Sequence, residues 1–286
     1  MIKKAVLPVA GFGTRFLPAS KAIPKEMVTI IDRPVIDYVV QEAILAGIEH
    51  IIFVTHAHKT AIENYFDRHS ELENLLTKAN KTELLERLKV IPNHVKVTSI
   101  RQGEALGLGH AIYAARHLIE PDEGFAVLLP DVLISGDQSD LGYMIEAYNQ
   151  KSIPQIMVET VDKSRVEQYG IVKVASSIRP SESAMLQGII EKPSLDQAPS
   201  NLAVVGRYIF SGQIMGILEQ ISAGQGGEIQ LTDAIAQLHE VEAYHMQGQS
   251  FDCGSQLGYL HAFLHYAHQH PQFGAKFREL MKNYND

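Results

Sequence analysis

The chain has 286 residues, 45% hydrophobic and 20% charged, a balance that offers ample apolar side chains for a core and excludes a disordered segment. Twenty-five Lys and Arg against 33 Asp and Glu give a formal charge of -8, which excludes a broad basic face for nucleic acid or an anionic membrane, so any anion must be captured by a local site. Cys253 is the only cysteine, which rules out an intrachain disulfide or a cysteine metal site, and no apolar run reaches the roughly 20 residues that span a bilayer; a cytoplasmic setting is expected.

Taken in chain order, residues 3–9 form an apolar strand that runs into a glycine loop, and Pro34–Ala46 has helical spacing with Gly47 placed to stop it. Ile51–Thr55 is a second strand. A polar stretch punctuated by leucines, Lys59–Leu88, is helical, Val95–Ile100 a strand, Gly107–Ile119 a helix and Phe125–Leu129 a strand of buried type. This alternation predicts an α/β fold with a Rossmann-like mixed, mainly parallel central sheet flanked by helices, with ligands beyond the carboxyl ends of the strands.

Past Ser152 the rhythm changes. Strands are expected at Gln155–Thr160, Gly170–Ala175, Leu186–Glu191 and Ala203–Phe210 with no long helix between them, extending the sheet. Helices at Gln213–Gln220, Leu231–Leu238 and Gln256–Ala267, with a last short one, close the chain. No repeat or Pro/Gly/Ser linker interrupts it, so one domain over 1–286 is expected, with a nucleotide-binding half at about 1–135 and a sugar-binding half at about 136–286.

The segment 5–27, AVLPVAGFGTRFLPASKAIPKEM, has the build of a polyphosphate site. Gly11 and Gly13 permit positive φ and close approach of backbone N–H groups to an anion, and Arg15, Lys21 and Lys25 add full charges. Arg15 is suited to grip phosphate oxygens with two donors, Lys25 to act as a point charge. Lys21 serves equally well as a phosphate contact or a solvated side chain. A dinucleotide fingerprint fails because Phe16 stands where its third glycine belongs, and a Walker A loop fails because no Gly-Lys-Ser/Thr follows.

The pattern Gly-x-Gly-Thr-Arg-x-x-Pro followed by Pro-Lys-Glu resembles the sugar nucleotidyltransferases, closest to the branch that transfers uridylyl groups. The resemblance continues in order through RQGEALGLGHA (101–111), LPDV (129–132), IEKP (190–193), GEIQLTDA (227–234) and FDCG (251–254), nearly the whole chain. It implies a nucleotide-diphospho-sugar transferase fold, UTP and α-D-glucose 1-phosphate as substrates, Mg²⁺ as cofactor and a homodimer or homotetramer. Arg15, Lys25 and Lys192 are then the catalytic cations. The nucleotide falls to Ala10, Gly11, Gly13, Thr14, Glu26, Gln102 and Gly107, and the sugar to Gly170, Glu191, Lys192 and Gly206. Asp131 and Asp252 hold the metal.

A carboxylate or amide oxygen in the base pocket can accept the N3–H shared by uracil and thymine, which cytosine lacks. Thymidylyl transfer from dTTP therefore stays open, as does a non-catalytic nucleotide-sugar-binding paralogue. His261 and His265, four apart on the expected last long helix, lack the acidic partner of a zinc motif and are better explained as the polar face of an amphipathic helix.

Overall fold

A computed structural model describes residues 1–224 and 227–283. The chain begins with β1 (Lys4–Pro8), passes through three single 3-10 turns at Thr14–Phe16, Ala19–Lys21 and Lys25–Met27, and makes a small hairpin of β2 (Thr29–Ile30) and β3 (Arg33–Pro34). Next come α1 (Val35–Leu45), β4 (His50–Thr55), three short helices α2 (Thr60–Phe66), α3 (Ser70–Lys78) and α4 (Thr82–Leu88), β5 (Lys96–Arg101), α5 (Leu108–Ala114) and β6 (Gly124–Leu128). The stretch expected as helical over 59–88 is thus broken twice, the second time where Asn80 takes φ +54°. Then follow β7 (Val132–Ser135), α6 (Asp140–Lys151), β8 (Gln155–Thr160), β9 (Gly170–Val174), β10 (Ser183–Glu191) and β11 (Leu202–Ser211). The described chain closes with α7 (Ile214–Gln220), α8 (Leu231–Ile235), β12 (Glu242–His245), β13 (Gln249–Asp252), α9 (Gln256–Gln269) and α10 (Gly274–Asn283).

Nine strands form one sheet in the order β5-β4-β1-β6-β11-β8-β12-β10-β9. The first four pair in parallel, as the βα rhythm predicts. From β6 onward the pairings are antiparallel apart from β12 with β8, so the sheet is evenly mixed. Only β9 and β10 among these neighbours follow one another in the chain, and their short connection without a helix lets the second turn back along the first. The helix α6 was not anticipated, although Ser139 caps it by accepting from the Gly142 N–H at 3.0 Å and Leu141, Met144, Ile145 and Tyr148 make its buried stripe.

Alternate side chains sort the core to the two faces of the sheet. Ala5, Leu7 and Val9 of the first strand region, with Ile51 and Phe53 of β4, pack under α1, α6 and α9; Val6, Ile52 and Val54 point the other way, under α5, α7 and α8. Each fully buried Ile, Val or Phe contributes roughly 1.5–3 kcal/mol. The α1 helix ends in a Schellman motif, Ile48 N–H to Ala43 O and Gly47 N–H to Ile44 O, both 3.0 Å, with Gly47 at φ +91°. Among the described residues no helix is long and apolar enough to cross a membrane.

Candidate active site

Parallel pairing of β5, β4, β1 and β6 brings their carboxyl ends to one edge, and the loops leaving it carry the residues singled out in the sequence. After β1, Ala10 is buried and Gly11 exposed, with open space where its Cβ would stand. Gly13 sits at φ +65°, and a Cβ there would press on the Lys25 side chain at 3.2 Å, so glycine brings the loop down onto the lysine. Thr14 and Arg15 begin the first 3-10 turn and are exposed, and Lys21 is exposed as well.

Lys25 Nζ forms an ion pair with Asp131, their side chains 18% and 23% exposed. Burial by itself would lower the lysine pKa, but Asp131 outweighs it, with Glu26 and Asp252 adding, and the ammonium is held above its ordinary value. Burial opposes ionisation of Asp131 too, yet Lys25 and then Arg15 overcome it and keep this carboxyl below the usual aspartate range.

Asp252 is brought beside Asp131 by a two-stranded antiparallel ribbon in which Asp252 of β13 opposes Val132 of β7. The Cys253 N–H donates to Asp131 O at 2.7 Å and the Gly254 N–H to Asp252 Oδ1 at 2.9 Å. A Cβ on Gly254 would lie 2.8 Å from Asp131 Oδ2 and 2.9 Å from Asp252 Oδ1, so the two carboxylates flank one point. Burial first, and the charge of Asp131 second, push the Asp252 carboxyl above its ordinary value. Arg15 and Lys25 only partly offset this, so the pair can take a further positive charge. It suits a hard cation that takes one or two carboxylates and fills its shell with water and phosphate oxygens. Among the described residues no group of three or more metal-binding His, Cys, Asp or Glu side chains assembles. His265 donates to or accepts from Ser135 Oγ at 2.9 Å, and His261 and His265 pack on Phe251.

Glu26 is almost fully buried and paired with the equally hidden Lys59 at 2.7 Å, a partner the sequence did not mark. Burial raises the Glu26 pKa, and Lys59 only partly offsets this. Gln102, also buried, spends its Nε2 on Gly107 O at 3.3 Å and the His110 ring at 3.0 Å, which leaves Oε1 as its accepting end. Gly107 takes φ +95° at the start of α5, and Gly109 donates to Ile229 O at 2.9 Å; a Cβ on either glycine would collide with Ile229 backbone atoms.

The 227–234 segment spans to the second cluster. Thr232 lies 3.3 Å from the Cβ position of Gly170, as does Glu191 Oε2, since Gly170 at the start of β9 opposes Glu191 at the end of β10. Lys192 follows at φ +45°, its N–H donating to Tyr169 O at 3.0 Å. Its side chain is 58% exposed, with the ammonium 3.4 Å from Glu191. Gly206, at φ +87°, accepts from the Leu129 N–H at 2.9 Å, and a Cβ there would strike the Leu129 side chain. Gly206 therefore backs the loop that carries Asp131.

The profile described as nucleotidyl transferase matches residues 4–269. The UTP–glucose-1-phosphate uridylyltransferase of Haemophilus influenzae is 50% identical over 290 residues, covering 98% of each chain. Among solved structures, a UDP-glucose pyrophosphorylase from Acinetobacter baumannii superposes with TM-score 0.92 at 56% identity, covering 99% of this chain and 100% of that one. A UTP-bound UGPase from the same organism also gives TM-score 0.92 at 56% identity, with 98% and 99% covered. On the family match and the end-to-end identity together, the chain belongs to the nucleotidyl transferase family.

Proposed function

We propose that the chain converts UTP and α-D-glucose 1-phosphate to UDP-glucose and pyrophosphate. One observation carries the reading: Arg15, Lys25, Asp131 and Asp252 gather at the mouth of the glycine loop after β1 in a chain whose half-identical relatives are named for this reaction. Those relatives favour uridylyl over thymidylyl transfer, and retention of every motif cation and carboxylate disfavours a binding-only paralogue.

The reaction brings two anions together. Unit charges about 4 Å apart at an effective dielectric near 20 repel by roughly 4 kcal/mol. Arg15 and Lys25 take up the nucleotide phosphates, while loop amides near Gly11 and Gly13 position the chain. Lys192 meets the incoming sugar phosphate, whose second pKa of about 6 leaves it largely dianionic and in little need of a general base. Glu191 beside Gly170 faces the sugar hydroxyls, and the base falls to Ala10, Gly11, Glu26, Gln102 and Gly107, with the Gln102 carbonyl accepting the uracil N3–H. Enzymes of this kind use a divalent metal, read here as Mg²⁺ held by Asp131 and Asp252; when bound it neutralises charge at the α-phosphate. Homo-oligomerisation and a cytoplasmic setting belong to the same reading, and light scattering on the purified chain tests the first.

The decisive assay is pyrophosphate release with each nucleoside triphosphate and each common hexose 1-phosphate, with and without Mg²⁺. UTP with glucose 1-phosphate and Mg²⁺ gives the highest kcat/KM. Faster turnover with dTTP, or none with any pair, overturns the reading.

A further inference from the structure

Among the described residues Arg207 is the largest side chain completely withdrawn from solvent, and uridylyl transfer as proposed above gives it no task. Its guanidinium spends donors in two directions. Nε and Nη2 bind Glu42 of α1 in a fork, at 2.9 Å to Oε1 and 2.7 Å to Oε2. Nη1 donates to Leu129 O at 3.1 Å and Nη2 to Val132 O at 2.7 Å. Those two carbonyls bracket Pro130 and Asp131.

The neighbouring backbone works on the same loop. Gly206 accepts from the Leu129 N–H, and the Cys253 N–H holds Asp131 O from the opposite side. Volume alone would be filled at lower cost by an apolar side chain, since a buried ion pair seldom stabilises more than its hydrophobic replacement. A charge buried to hold the main chain on both sides of one aspartate instead fixes where that carboxylate stands. Lysine would not substitute, because a single ammonium cannot fork onto a carboxylate and reach two separate carbonyls.

We infer that Arg207, anchored by Glu42, is a positioning residue that sets the Asp131 carboxylate against Asp252 and so governs how tightly a divalent cation is held there. The inference rests on Asp131 being a metal ligand. It predicts behaviour in the absence of turnover: Mn²⁺ binding in the presence of UTP and without sugar phosphate, followed by calorimetry or by the Mn²⁺ spin-resonance signal.

Arg207→Lys raises the Mn²⁺ concentration for half-saturation by about tenfold or more, the usual effect of losing a group that orients a ligand, while UTP binding in chelator stays within about twofold of the parent. Glu42→Gln keeps the arginine and the packing and loosens only its anchor, so it reads the coupling even if the lysine variant does not fold; a rise of roughly two- to fivefold is expected. A folded Arg207→Lys, or in its absence Glu42→Gln, that binds Mn²⁺ as the parent does overturns the inference. Asp131→Asn separates the two layers. If it too binds Mn²⁺ normally, the ligand reading itself has failed; if it loses Mn²⁺ while the Arg207 and Glu42 variants do not, only the positioning role has.

Discussion

Asp131 is gripped from two sides, by Lys25 in front and, through its main chain, by the Arg207–Glu42 pair behind. The front pair is partly open to solvent, and its lysine is a point charge on a flexible stem. The rear pair has a guanidinium with no solvent exposure and four hydrogen bonds fixed in its plane. The more exposed contact is the one suited to change partners. On the proposed function Lys25 exchanges the carboxylate for a phosphate when substrate and cation arrive, whereas Arg207 stays.

The largest effect comes from removing what both pairs serve. Asp131→Asn is expected to lower uridylyl transfer roughly a thousandfold, the several kcal/mol a bound cation supplies, and an unchanged Mg²⁺ titration in the pyrophosphate assay would reject the ligand role. Breaking the rear pair with Glu42→Ala strands a buried guanidinium and costs about 3–5 kcal/mol of stability; a urea midpoint like the parent's would show the pair to be ornamental. Lys25→Ala, at the front, costs about a hundredfold or more in kcat but only about 1–2 kcal/mol of stability, because Arg15 still faces the same carboxylate. Equal stability losses for Glu42→Ala and Lys25→Ala would erase the distinction between front and rear.

The smallest effect belongs to a pair with no duty at the site. Lys151 meets Glu242 at 2.9 Å at the far side of the sheet. Burial there favours the protonated acid, but bonds from Lys151 and Gln155 outweigh it and lower the Glu242 pKa. A depressed folded-state pKa contributes stability above the ordinary glutamate range, lost as pH falls through the lowered value. Glu242→Gln therefore flattens the fall in urea midpoint between about pH 5 and pH 3 and leaves turnover at neutral pH unchanged. Identical acid slopes for parent and variant would contradict the assignment.

Much of the front face was legible in the sequence. Gly11, Gly13, Arg15, Lys25 and Asp131 lie in short motifs at strand ends, where glycine, proline and charge together announce a phosphate loop, and Asp252 follows from its family segment. The rear was not. Glu42 and Arg207 are 165 residues apart; Glu42 reads locally as part of the polar face of α1 beside Gln41, and Arg207 as a single charge in an apolar strand. An arginine inside Ala-Val-Val-Gly-Arg-Tyr-Ile-Phe was nonetheless a signal, because a charge flanked by core residues needs a buried partner. Lys59 and His110 were missed for a like reason: each acts through a residue that was marked, Glu26 or Gln102, and shows itself only once the chain is folded. The antiparallel half of the sheet was half legible, since most of its strand positions were readable but β12, like β7 and β13 of the separate ribbon, was too short to stand out.

On the proposed function Lys25 gives up Asp131 to a cation while the loop behind stays fixed. Crystals grown with UTP and Mn²⁺ test it through the anomalous signal of the metal. The expected result is a peak between Asp131 and Asp252, Lys25 Nζ on a nucleotide phosphate, and Arg207 still bonded to Leu129 and Val132. A metal bound elsewhere, with Lys25 still on Asp131 beside the bound nucleotide, would contradict it.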